Sequence, residues 1–526
     1  MSLVSWPFLI LCAAVIAVYY ALSGLAPGFQ WLALLAASYV FYLYSSPKLA
    51  VFLIFSTVTT WLFPLLIDKE NAKLSEKLAL SENAEIPKEE KKRIKEASAV
   101  KNSVLLGICA VSNLLILGFL KYAGFFLKLF GAGRTLNLIL PLGISFYTFQ
   151  SIGYCVDVFR GLVPAEKNLL RHALYVSYFP QISQGPIGRY SELAPQLFSA
   201  HRFNLDRLKT GAERMLLGFF KKIIIANNLG AFVNSIYADP NQYSGVILAF
   251  ATFLYAFELY ADFSGYMDIA CGISECMGIQ LAENFETPYF SRSIAEFWRR
   301  WHISLGVWFK DYLYYPLLRT KAFSALSKKL RKSGHKKAAQ NVTVSLGLLI
   351  TWFVIGFWHG AGFNYVLYGL FHGSFVILSG LLGDFYESAK NRLRISKDAF
   401  WWKAFQMLRT FTIVCFGYVL FISNDLSQAL MVYYRIFTQN FYFGWSHGLL
   451  NPEFDRFFWI CMAAALAFCF LIEIIETKER FVPWLNRQKL PVRWAFLYGM
   501  MLSVACVLLF SDAQEVASGN FLYFNF

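Results

Sequence analysis

The sequence predicts an all-α polytopic membrane protein, with about 11–13 transmembrane helices plus re-entrant and interfacial helices around a central cavity. Of its 526 residues, 57% are hydrophobic and only 15% are charged, which is far more apolar than a typical globular protein. Apolar stretches recur along the chain at a length that can cross a bilayer core. The net charge of +15 lies mainly between these stretches, which favours membrane orientation and anionic lipid contacts over nucleic-acid binding.

The candidate spans follow one another along most of the chain. They cover residues 3–22, 29–46, 49–67, 103–130, 212–236, 244–262, 341–358, 362–383, 404–422, 457–475 and 494–510. No Lys or Arg precedes Lys48, so the basic region of a signal peptide is missing and the first stretch is expected to be a retained span. Shorter apolar pieces near 136–155, 173–183 and 266–281 predict re-entrant or half-spanning helices. Such broken helices need protein or a wet cavity around them, which is why a central cavity is expected.

Two hydrophilic segments set the expected orientation. Residues 68–101 contain nine Lys/Arg and eight Asp/Glu in a helix-forming mixture, which predicts an exposed hairpin. Residues 319–337 contain eight Lys/Arg and no acidic residue, and we interpret them as a solvated, lipid-facing loop rather than a docking surface for a partner. Basic residues mark the cytoplasmic side, so both segments are expected there and the N-terminus outside.

Residues 293–310 predict an amphipathic helix at the headgroup boundary, with arginines opposite a tryptophan-rich stripe. The stripe consists of Ile294, Phe297, Trp298, Trp301, Leu305 and Trp308. Ser293 and Glu296 have the spacing of a capping box at the start of this helix. Pro316 disfavours the helical conformation at the preceding residue, so the helix is expected to end shortly before it. His302 falls about 80° from the centre of the stripe, at the edge between the two faces.

His359 ends a long apolar run, in the sequence Trp358-His359-Gly360. Desolvation of an ionisable ring at membrane depth has to be compensated, so such a residue is a candidate functional residue. Histidine can remove a proton from a hydroxyl near neutral pH, which is the proton transfer that acyl transfer from a thioester to an alcohol needs. Taken alone, a histidine in this position is at least as often a hydrogen-bonded structural residue. That structural interpretation is stronger for His372, which lies in another span without a flanking motif.

Three acidic residues, Glu258, Asp262 and Asp268, lie in one apolar segment at the expected membrane depth. They could line the cavity or orient a histidine, but structural ion pairs with Arg299 or Arg300 are slightly favoured. The nine cysteines occur singly in apolar segments, which favours buried hydrophobic side chains over disulfides or zinc ligands. The sequence lacks the Ser-hydrolase elbow, the Walker glycine loop and the His-Glu-x-x-His zinc motif, so no tightly bound cofactor and no metal is expected.

Several motifs, in one order, resemble the membrane-bound O-acyltransferase family. They are Pro141-Leu-Gly-Ile-Ser-Phe-Tyr-Thr-Phe-Gln150, Phe179-Pro-Gln-Ile-Ser-Gln-Gly-Pro-Ile-Gly188, Asp262-Phe-Ser-Gly-Tyr-Met-Asp268, Glu283-Asn-Phe-Glu-Thr-Pro-Tyr289, Ser291-Arg-Ser-Ile-Ala-Glu-Phe-Trp-Arg-Arg-Trp-His302, Asp311-Tyr-Leu-Tyr-Tyr-Pro316 and Phe357-Trp-His359-Gly-Ala361. The resemblance covers residues 105–375 of a single expected membrane domain, 1–526, with N-terminal spans at 1–67 and accessory spans from about residue 400. It points to the bacterial branch that acetylates alginate and D-alanylates teichoic acids. One departure is the segment after Pro316, where Leu317-Leu-Arg-Thr replaces the usual Gly-Gly-Asn.

The resemblance implies tilted helices around a thin floor pierced by a funnel or tunnel, with His359 as the catalytic histidine and His302 as a second catalytic position. We further assign a group of residues to the substrate tunnel: Asp262, Asp268, Trp298, Arg299, Trp301 and Trp358. The implied donor is a cytoplasmic acyl thioester, either acetyl-CoA or an acyl carrier protein. The implied partners are membrane lipid and an extracytoplasmic acyltransferase, and the implied location is the bacterial plasma membrane.

The expected function is transfer of an acyl group, with acetyl as the expected group, toward a hydroxyl of a cell-surface polysaccharide or peptidoglycan, directly or through the extracytoplasmic partner. D-alanyl transfer to teichoic acid from a carrier-protein thioester is an alternative within the family. A transporter would also explain broken helices around a cavity, but it should have paired inverted halves, which the sequence does not show. A scaffold of a polysaccharide export complex is a further, non-enzymatic alternative.

Overall fold

The computed structural model describes residues 3–83, 87–131, 138–332, 336–439 and 454–510. In these residues nearly all regular structure is helical, and the only β pairing is an isolated bridge between Phe285 and Trp301. Within the described part of the chain, ten helices are long and apolar enough to cross a membrane, by length and composition. The predicted class, an all-α multi-pass membrane protein, is therefore confirmed.

The helices are numbered in chain order. The first ten are α1 (Trp6–Leu25), α2 (Gln30–Ser45), α3 (Ala50–Asn83), α4 (Lys88–Leu129), α5 (Ile144–Phe159), α6 (Leu169–Ser177), α7 (Tyr190–Phe198), α8 (Leu205–Phe219), α9 (Asn227–Ala238) and α10 (Gly245–Cys276). Helices α8 and α9 are joined without a break by a π-helical segment, Phe220–Ala226.

The remaining helices begin with two short ones. They are α11 (Ile294–Arg300), α12 (Ile303–Phe309), α13 (Tyr315–Leu318), α14 (Lys321–Lys332), α15 (Lys336–His359), α16 (Phe363–Leu381), α17 (Gly383–Arg392), α18 (Phe400–Ile422), α19 (Leu426–Thr438), α20 (Arg456–Glu476), α21 (Phe481–Asn486) and α22 (Leu490–Phe510). A second π-helical segment, Lys310–Tyr314, joins α12 to α13.

Two predicted apolar elements differ from the structure. The stretch at 29–46 forms α2, whose 16 residues are fewer than the ~20 that a perpendicular span needs, so α2 is not among the ten long helices. The piece at 266–281 is not a separate re-entrant helix, because α10 continues through it to Cys276 in one run of 32 residues. Of the other short pieces, 173–183 contains the end of α6 and a buried non-helical segment, and 136–155 contains most of α5. Residues 136 and 137 lie outside the described part of the chain.

The hydrophilic segments are more helical than expected. Residues 68–101 extend α3 and α4, as predicted for a hairpin, although its tip at 84–86 lies outside the described residues. The basic segment 319–337 was predicted as a loop, but it contains the twelve-residue helix α14. This helix buries Phe323 while its lysines face outward, and it packs on α15. A periodic apolar face is enough to hold such a helix against a neighbour despite its charge.

The chain forms two compact units. The first comprises Met1–Ala212 and Ala270–Ala282, and the second comprises Glu213–Ile269 and Glu283–Phe526. In the first unit α3 packs against α4 and α5, and α2 packs against α1 and α6. A buried hydrogen bond of 3.0 Å between Thr60 Oγ1 and His172 Nε2 ties α3 to α6 there.

In the second unit α15 and α16 form a closely packed hairpin, and α16 also packs on α11 and α18. Glycines permit the close approach: a Cβ on Gly356 would lie 2.5 Å from the Tyr365 carbonyl oxygen. A Cβ on Gly369 would lie 2.3 Å from the Trp352 carbonyl oxygen. Small residues at such a contact let two membrane helices meet backbone to backbone. The end of α15, with His359, is thereby fixed beside the start of α16.

Candidate active site at two histidines

His302 lies at a sharp break between α11 and α12, where one continuous helix was predicted. Its backbone has φ 47° and ψ 55°, the left-handed region that few residues other than glycine adopt. Such a conformation costs of order 1–3 kcal/mol and persists only when its surroundings impose it. The predicted capping interaction at the start of α11 is present, because Ser293 Oγ accepts a 3.1 Å hydrogen bond from the Glu296 N–H.

Asn284 holds this break in place. Its backbone carbonyl accepts a 3.0 Å hydrogen bond from the Ile303 N–H, and its side-chain Oδ1 accepts one of 2.9 Å from the Ser304 N–H. The same Oδ1 lies 3.4 Å from His302 Nδ1. Since a carbonyl oxygen only accepts, Nδ1 carries the proton in this contact and Nε2 is the unprotonated nitrogen. Asn284 therefore sets both the backbone turn and the tautomer of His302.

His302 is buried, with 2% of its surface exposed, although it was predicted at the edge of an interfacial helix. Its ring meets the Phe263 ring edge-on, at 4.8 Å between centroids. Burial lowers the pKa of His302 from 6.5 to about 3. The imidazole is therefore neutral at physiological pH and presents a lone pair on Nε2. The helical periodicity failed here because the break is imposed by a distant segment, not by residues 294–308 themselves.

The helix also continues further than the sequence predicted. Tyr315 was expected to leave the helical region ahead of Pro316, yet it has φ −65° and ψ −42°, and α13 runs on to Leu318. The preceding turn, Lys310–Tyr314, is π-helical. Pro316 therefore lies near the start of α13, directly after a π-helical turn, where proline is tolerated.

His359 is the last residue of α15 and is equally buried, with 3% of its surface exposed. Aromatic rings enclose it: ring centroids lie at 4.8 Å for Trp358, 5.7 Å for Tyr368 and 5.2 Å for Phe421. A side chain at the following residue would displace the Tyr365 ring, because a Cβ on Gly360 would lie 2.3 Å from it. The motif Trp358-His359-Gly360 thus packs the imidazole tightly against α16 and α18.

The two histidines share one aromatic neighbour. The Trp358 ring lies 6.3 Å from the His302 ring and 4.8 Å from the His359 ring, centroid to centroid. Residues 57 positions apart in the sequence are therefore brought into one cluster. A joint catalytic role for the two histidines, as predicted from the sequence, requires that their side chains lie near each other in the fold.

A cavity of about 500 Å³ reaches His302. Its lining comes from α11, α12 and the two residues between them, from the π-helical segment, and from α13, α15 and α16. The lining residues are Ala295, Trp298, Arg299, Trp301, His302, Ile303, Leu305, Gly306, Val307, Phe309, Lys310, Tyr314, Tyr315, Leu348, Thr351, Trp352, Ile355 and Val376. Most of these side chains are apolar or aromatic. The volume falls within the range of small-molecule sites, roughly 300–1,000 Å³. Of the residues assigned to the substrate tunnel, Trp298, Arg299 and Trp301 line this cavity.

The two acidic tunnel candidates, Asp262 and Asp268, form ion pairs. Asp262 Oδ1 lies 2.6 Å from Lys222 Nζ, and both side chains are almost fully buried. Asp268 pairs with Lys221 at 2.8 Å and with Arg214 at 3.2 Å. Burying these charges is possible because each carboxylate meets a cation.

The predicted pairing of these carboxylates with Arg299 or Arg300 is wrong. Arg300 pairs with Glu296 at 2.8 Å, one helical turn earlier. The true partners of the α10 acids lie in or before the π-helical segment Phe220–Ala226, which places two consecutive lysines against α10. Sequence spacing gave no indication of this pairing.

His372 lies in the same aromatic cluster. It is fully buried, with ring centroids 5.1 Å from Trp298 and 4.7 Å from Tyr368. Its Nε2 faces Gly417, where an added Cβ would lie 2.3 Å away. Neither ring nitrogen has a hydrogen-bond partner among the residues that the structure describes. The sequence-based interpretation of His372 as a packed structural residue stays a prediction.

Sequence reasoning missed three residues that shape the site, Asn284, Tyr368 and Phe421. Asn284 lies within the motif Glu283–Tyr289, so a search for polar residues in that motif could have found it. Tyr368 follows His359 by nine residues in the next helix, and Phe421 comes from α18, so only packing brings them to the imidazole.

Comparisons with known proteins identify the family of this chain. Residues 163–420 match the membrane-bound O-acyltransferase family. A probable alginate O-acetylase of Pseudomonas putida is 36% identical over 344 residues, 64% of this chain and 64% of that protein. The peptidoglycan O-acetyltransferase of Helicobacter pylori is 29% identical over 474 residues, 80% and 82% of the two chains. The teichoic acid D-alanyltransferase of Bacillus subtilis is 32% identical over 289 residues, 54% of this chain and 69% of that protein.

This chain belongs to the membrane-bound O-acyltransferase family, as the motifs predicted. The match spans slightly less than two thirds of the length of the alginate O-acetylase relatives. It spans more of the peptidoglycan O-acetyltransferase, where 82% of that protein is covered.

Proposed function

We propose that this protein is a membrane O-acyltransferase of the bacterial plasma membrane. It takes an acyl group from a cytoplasmic thioester and passes it toward a hydroxyl of a cell-surface polysaccharide or peptidoglycan. The proposed acyl group is acetyl. The observation that carries the proposal is the joining of two buried histidines, His302 and His359, by Trp358, with His302 open to a cavity. Family membership supports the same class of reaction.

In the proposed step His359 is the general base. It removes the proton from the acceptor hydroxyl as the oxygen attacks the thioester carbonyl carbon. The C–S bond breaks, the thiolate leaves, and the proton passes from the imidazolium to the thiolate. No metal or redox group takes part in this balance. The aromatic rings around His359 exclude water, which would otherwise compete with the acceptor hydroxyl for the acyl group.

His302 has a different task in this proposal. It is neutral, its tautomer is set by Asn284, and it borders the cavity that would hold the donor. An imidazole with a fixed lone pair can position the thioester or relay a proton, but its low pKa makes it a weak base. We therefore assign donor positioning and proton relay to His302.

The extent of sequence similarity to the relatives favours acetyl transfer over D-alanyl transfer. The relative named a peptidoglycan O-acetyltransferase aligns over 80% of this chain, whereas the teichoic acid D-alanyltransferase aligns over 54%. The additional C-terminal helices from α18 onward fit the longer proteins of the acetylating group. A separate extracytoplasmic acyltransferase is the proposed partner that completes delivery to the polymer.

The direct test uses purified full-length protein and a thioester with a labelled acetyl group. Wild-type protein is expected to consume the thioester, and His359→Ala should reduce the rate by about 10²–10⁴-fold. His359→Gln is the matched control, since an amide can keep a structural hydrogen bond but cannot accept a proton at neutral pH. Wild-type turnover in the Gln variant would remove His359 from the catalytic step.

The direction of transfer has its own test. Accessible tags inserted at 72–90 and at 325–337 should both be cytoplasmic, because basic residues mark that side of a membrane. Labelling of intact cells with an impermeant reagent measures this. Tags in either segment that react only from outside would reverse the proposed direction.

A further inference from the structure

The segment Glu283–Glu286 has two sets of contacts. The first set joins it to the α11–α12 break through hydrogen bonds of its backbone and of the Asn284 side chain. The second set joins it to Arg480, which follows α20 in the chain. Arg480 Nη1 donates a 3.3 Å hydrogen bond to the Phe285 carbonyl, and Nη2 lies 3.4 Å from Glu283 Oε2. Arg480 therefore contacts both neighbours of Asn284, the residue whose amide orients the imidazole at the break.

A contact from α20 itself reaches the same region. The Tyr260 hydroxyl of α10 donates a buried hydrogen bond to the Glu473 carboxylate of α20. The Tyr260 ring packs against Phe285 and Trp301, with 5.6 Å and 6.1 Å between centroids. Phe285 and Trp301 are the two residues of the isolated β bridge. Helix α20 and the turn after it thus support the bridge, although they lie beyond residue 420, where the match to the family ends.

The two contacts of Arg480 differ in what their loss would do. Glu283 has a second cationic partner, Arg214, whose Nη1 and Nη2 lie 2.8 Å and 2.6 Å from the two carboxylate oxygens. Arg480 and Glu283 are 40% and 36% exposed, and ion pairs in water contribute little. Loss of the Arg480 side chain therefore leaves Glu283 anchored. It removes a charged donor from the Phe285 carbonyl, which is the stronger kind of hydrogen bond.

We propose that Arg480 is a positioning residue for His302. It fixes the Phe285 carbonyl, and this holds Asn284 against the left-handed turn that carries the imidazole. The C-terminal helices are then part of the machinery of acyl transfer and not only an addition to the membrane domain. The effect on turnover rests on the proposed function. A shift of about 1 Å in a reacting group can reduce a rate by ~10²-fold, so a contact of this kind is measurable.

The test compares two arginines that flank the short helix α21, Arg480 before it and Arg487 after it. Consumption of a labelled acetyl thioester is measured in full-length wild type, Arg480→Met, Arg480→Lys and Arg487→Met. Arg480→Met should lower kcat/KM roughly 2–30-fold, the range for substitutions that act through connected contacts. Arg480→Lys should recover part of this loss, since an ammonium can still donate to the Phe285 carbonyl.

Arg487→Met is the matched control. Arg487 is exposed and pairs with Glu479, so its loss leaves the segment Glu283–Glu286 untouched. Its kcat/KM should equal that of wild type. An equal fall in Arg480→Met and Arg487→Met would overturn the inference, because it would mean that any arginine beside α21 supports activity through the fold.

The His302→Asn background separates positioning from general support of the structure. Two residues that act on the same contact have non-additive effects, whereas independent residues have additive ones. Arg480→Met should therefore reduce the activity that remains in His302→Asn by a much smaller factor than it reduces wild-type activity. The same factor in both backgrounds would show that Arg480 does not act through His302, and the inference would fail.

Hydrogen exchange tests the positioning without any acyl transfer. The amides of Ile303 and Ser304, which bond to Asn284, should exchange faster in Arg480→Met than in wild type or Arg487→Met, as measured by mass spectrometry. Unchanged exchange would refute the inference even in an active enzyme. Faster exchange in a protein whose wild type consumes no thioester would keep the positioning contact and refute the proposed function alone.

Discussion

The surroundings of His302 and His359 differ although the two residues are almost equally buried. The His302 ring forms one hydrogen bond with Asn284, which also accepts a hydrogen bond from the Ser304 N–H at the same left-handed break, and His302 borders a cavity. His359 ends a regular helix and is held by aromatic rings. One histidine is positioned by polar contacts from a distant segment, and the other by packing of three helices.

This difference suggests a division of labour. A residue fixed by a strained backbone and a dedicated amide is held in one orientation and one tautomer, which suits positioning of a donor. A residue enclosed by rings experiences little competing water, which suits removal of a proton from a hydroxyl. This division predicts that substitutions in the two regions have effects of different size, and that they change different properties, namely activity, stability or pH dependence.

The largest expected difference is between the two imidazoles themselves. His302→Asn should lower acyl transfer by less than the ~10²-fold minimum expected for loss of the general base at His359. The Asn variant should fold normally, because asparagine tolerates the left-handed region better than most residues. His302→Ala should show lower thermal stability than His302→Asn, by about 1 kcal/mol. If both variants were fully active with every donor, His302 would be a packing residue.

Loss of the Asn284 contacts gives the second expected effect. Asn284→Ala leaves the buried Ser304 N–H without its acceptor, which should cost about 1–3 kcal/mol of stability. It also frees the His302 ring, so activity should fall toward that of His302→Asn. Asn284→Asp keeps the acceptor and adds a negative charge beside Nδ1, which should raise the pKa of His302 and shift the pH profile of kcat. A pH profile identical to wild type in the Asp variant would contradict the contact between Asn284 and His302.

The third expected effect is on stability at acid pH and involves no change in activity. The pKa of His302 is about 3 in the folded state and about 6.5 when unfolded, so the unfolded chain binds more protons between these values. Stability is therefore fully present above pH 6.5 and decreases as the pH falls toward 3, by roughly 1.4 kcal/mol per pH unit. His172 has a pKa lowered in the same way by burial, so the comparison has to be with His302→Asn rather than with an absolute curve.

Thermal unfolding of the solubilised protein at pH 7 and pH 5 measures this effect. The loss between the two values should be roughly 2 kcal/mol smaller in His302→Asn than in wild type. Equal losses in the two proteins would mean that His302 is hydrated in solution and that its burial is not maintained.

The sequence by itself determined the class of protein and the end of α15. Apolar stretches of membrane length recur whatever the tertiary fold, because each must satisfy its own backbone hydrogen bonds in lipid. The apolar run before Gly360 placed His359 at a helix end, and the structure has it as the last residue of α15. The spacing of Ser293 and Glu296 likewise predicted the cap of α11, since capping depends on neighbours within one turn.

Only the tertiary structure decided how the two histidines meet and what fixes His302. The apolar pattern over 294–308 is compatible with one helix, but Asn284 and Glu286 form hydrogen bonds with the backbone at Arg300, Ile303 and Ser304 and interrupt it. The pairing of the α10 acids with Lys221 and Lys222 depends in the same way on a π-helical segment 40–47 residues away. Local spacing cannot reveal such contacts, because their energy comes from groups that are distant in sequence and adjacent only after folding.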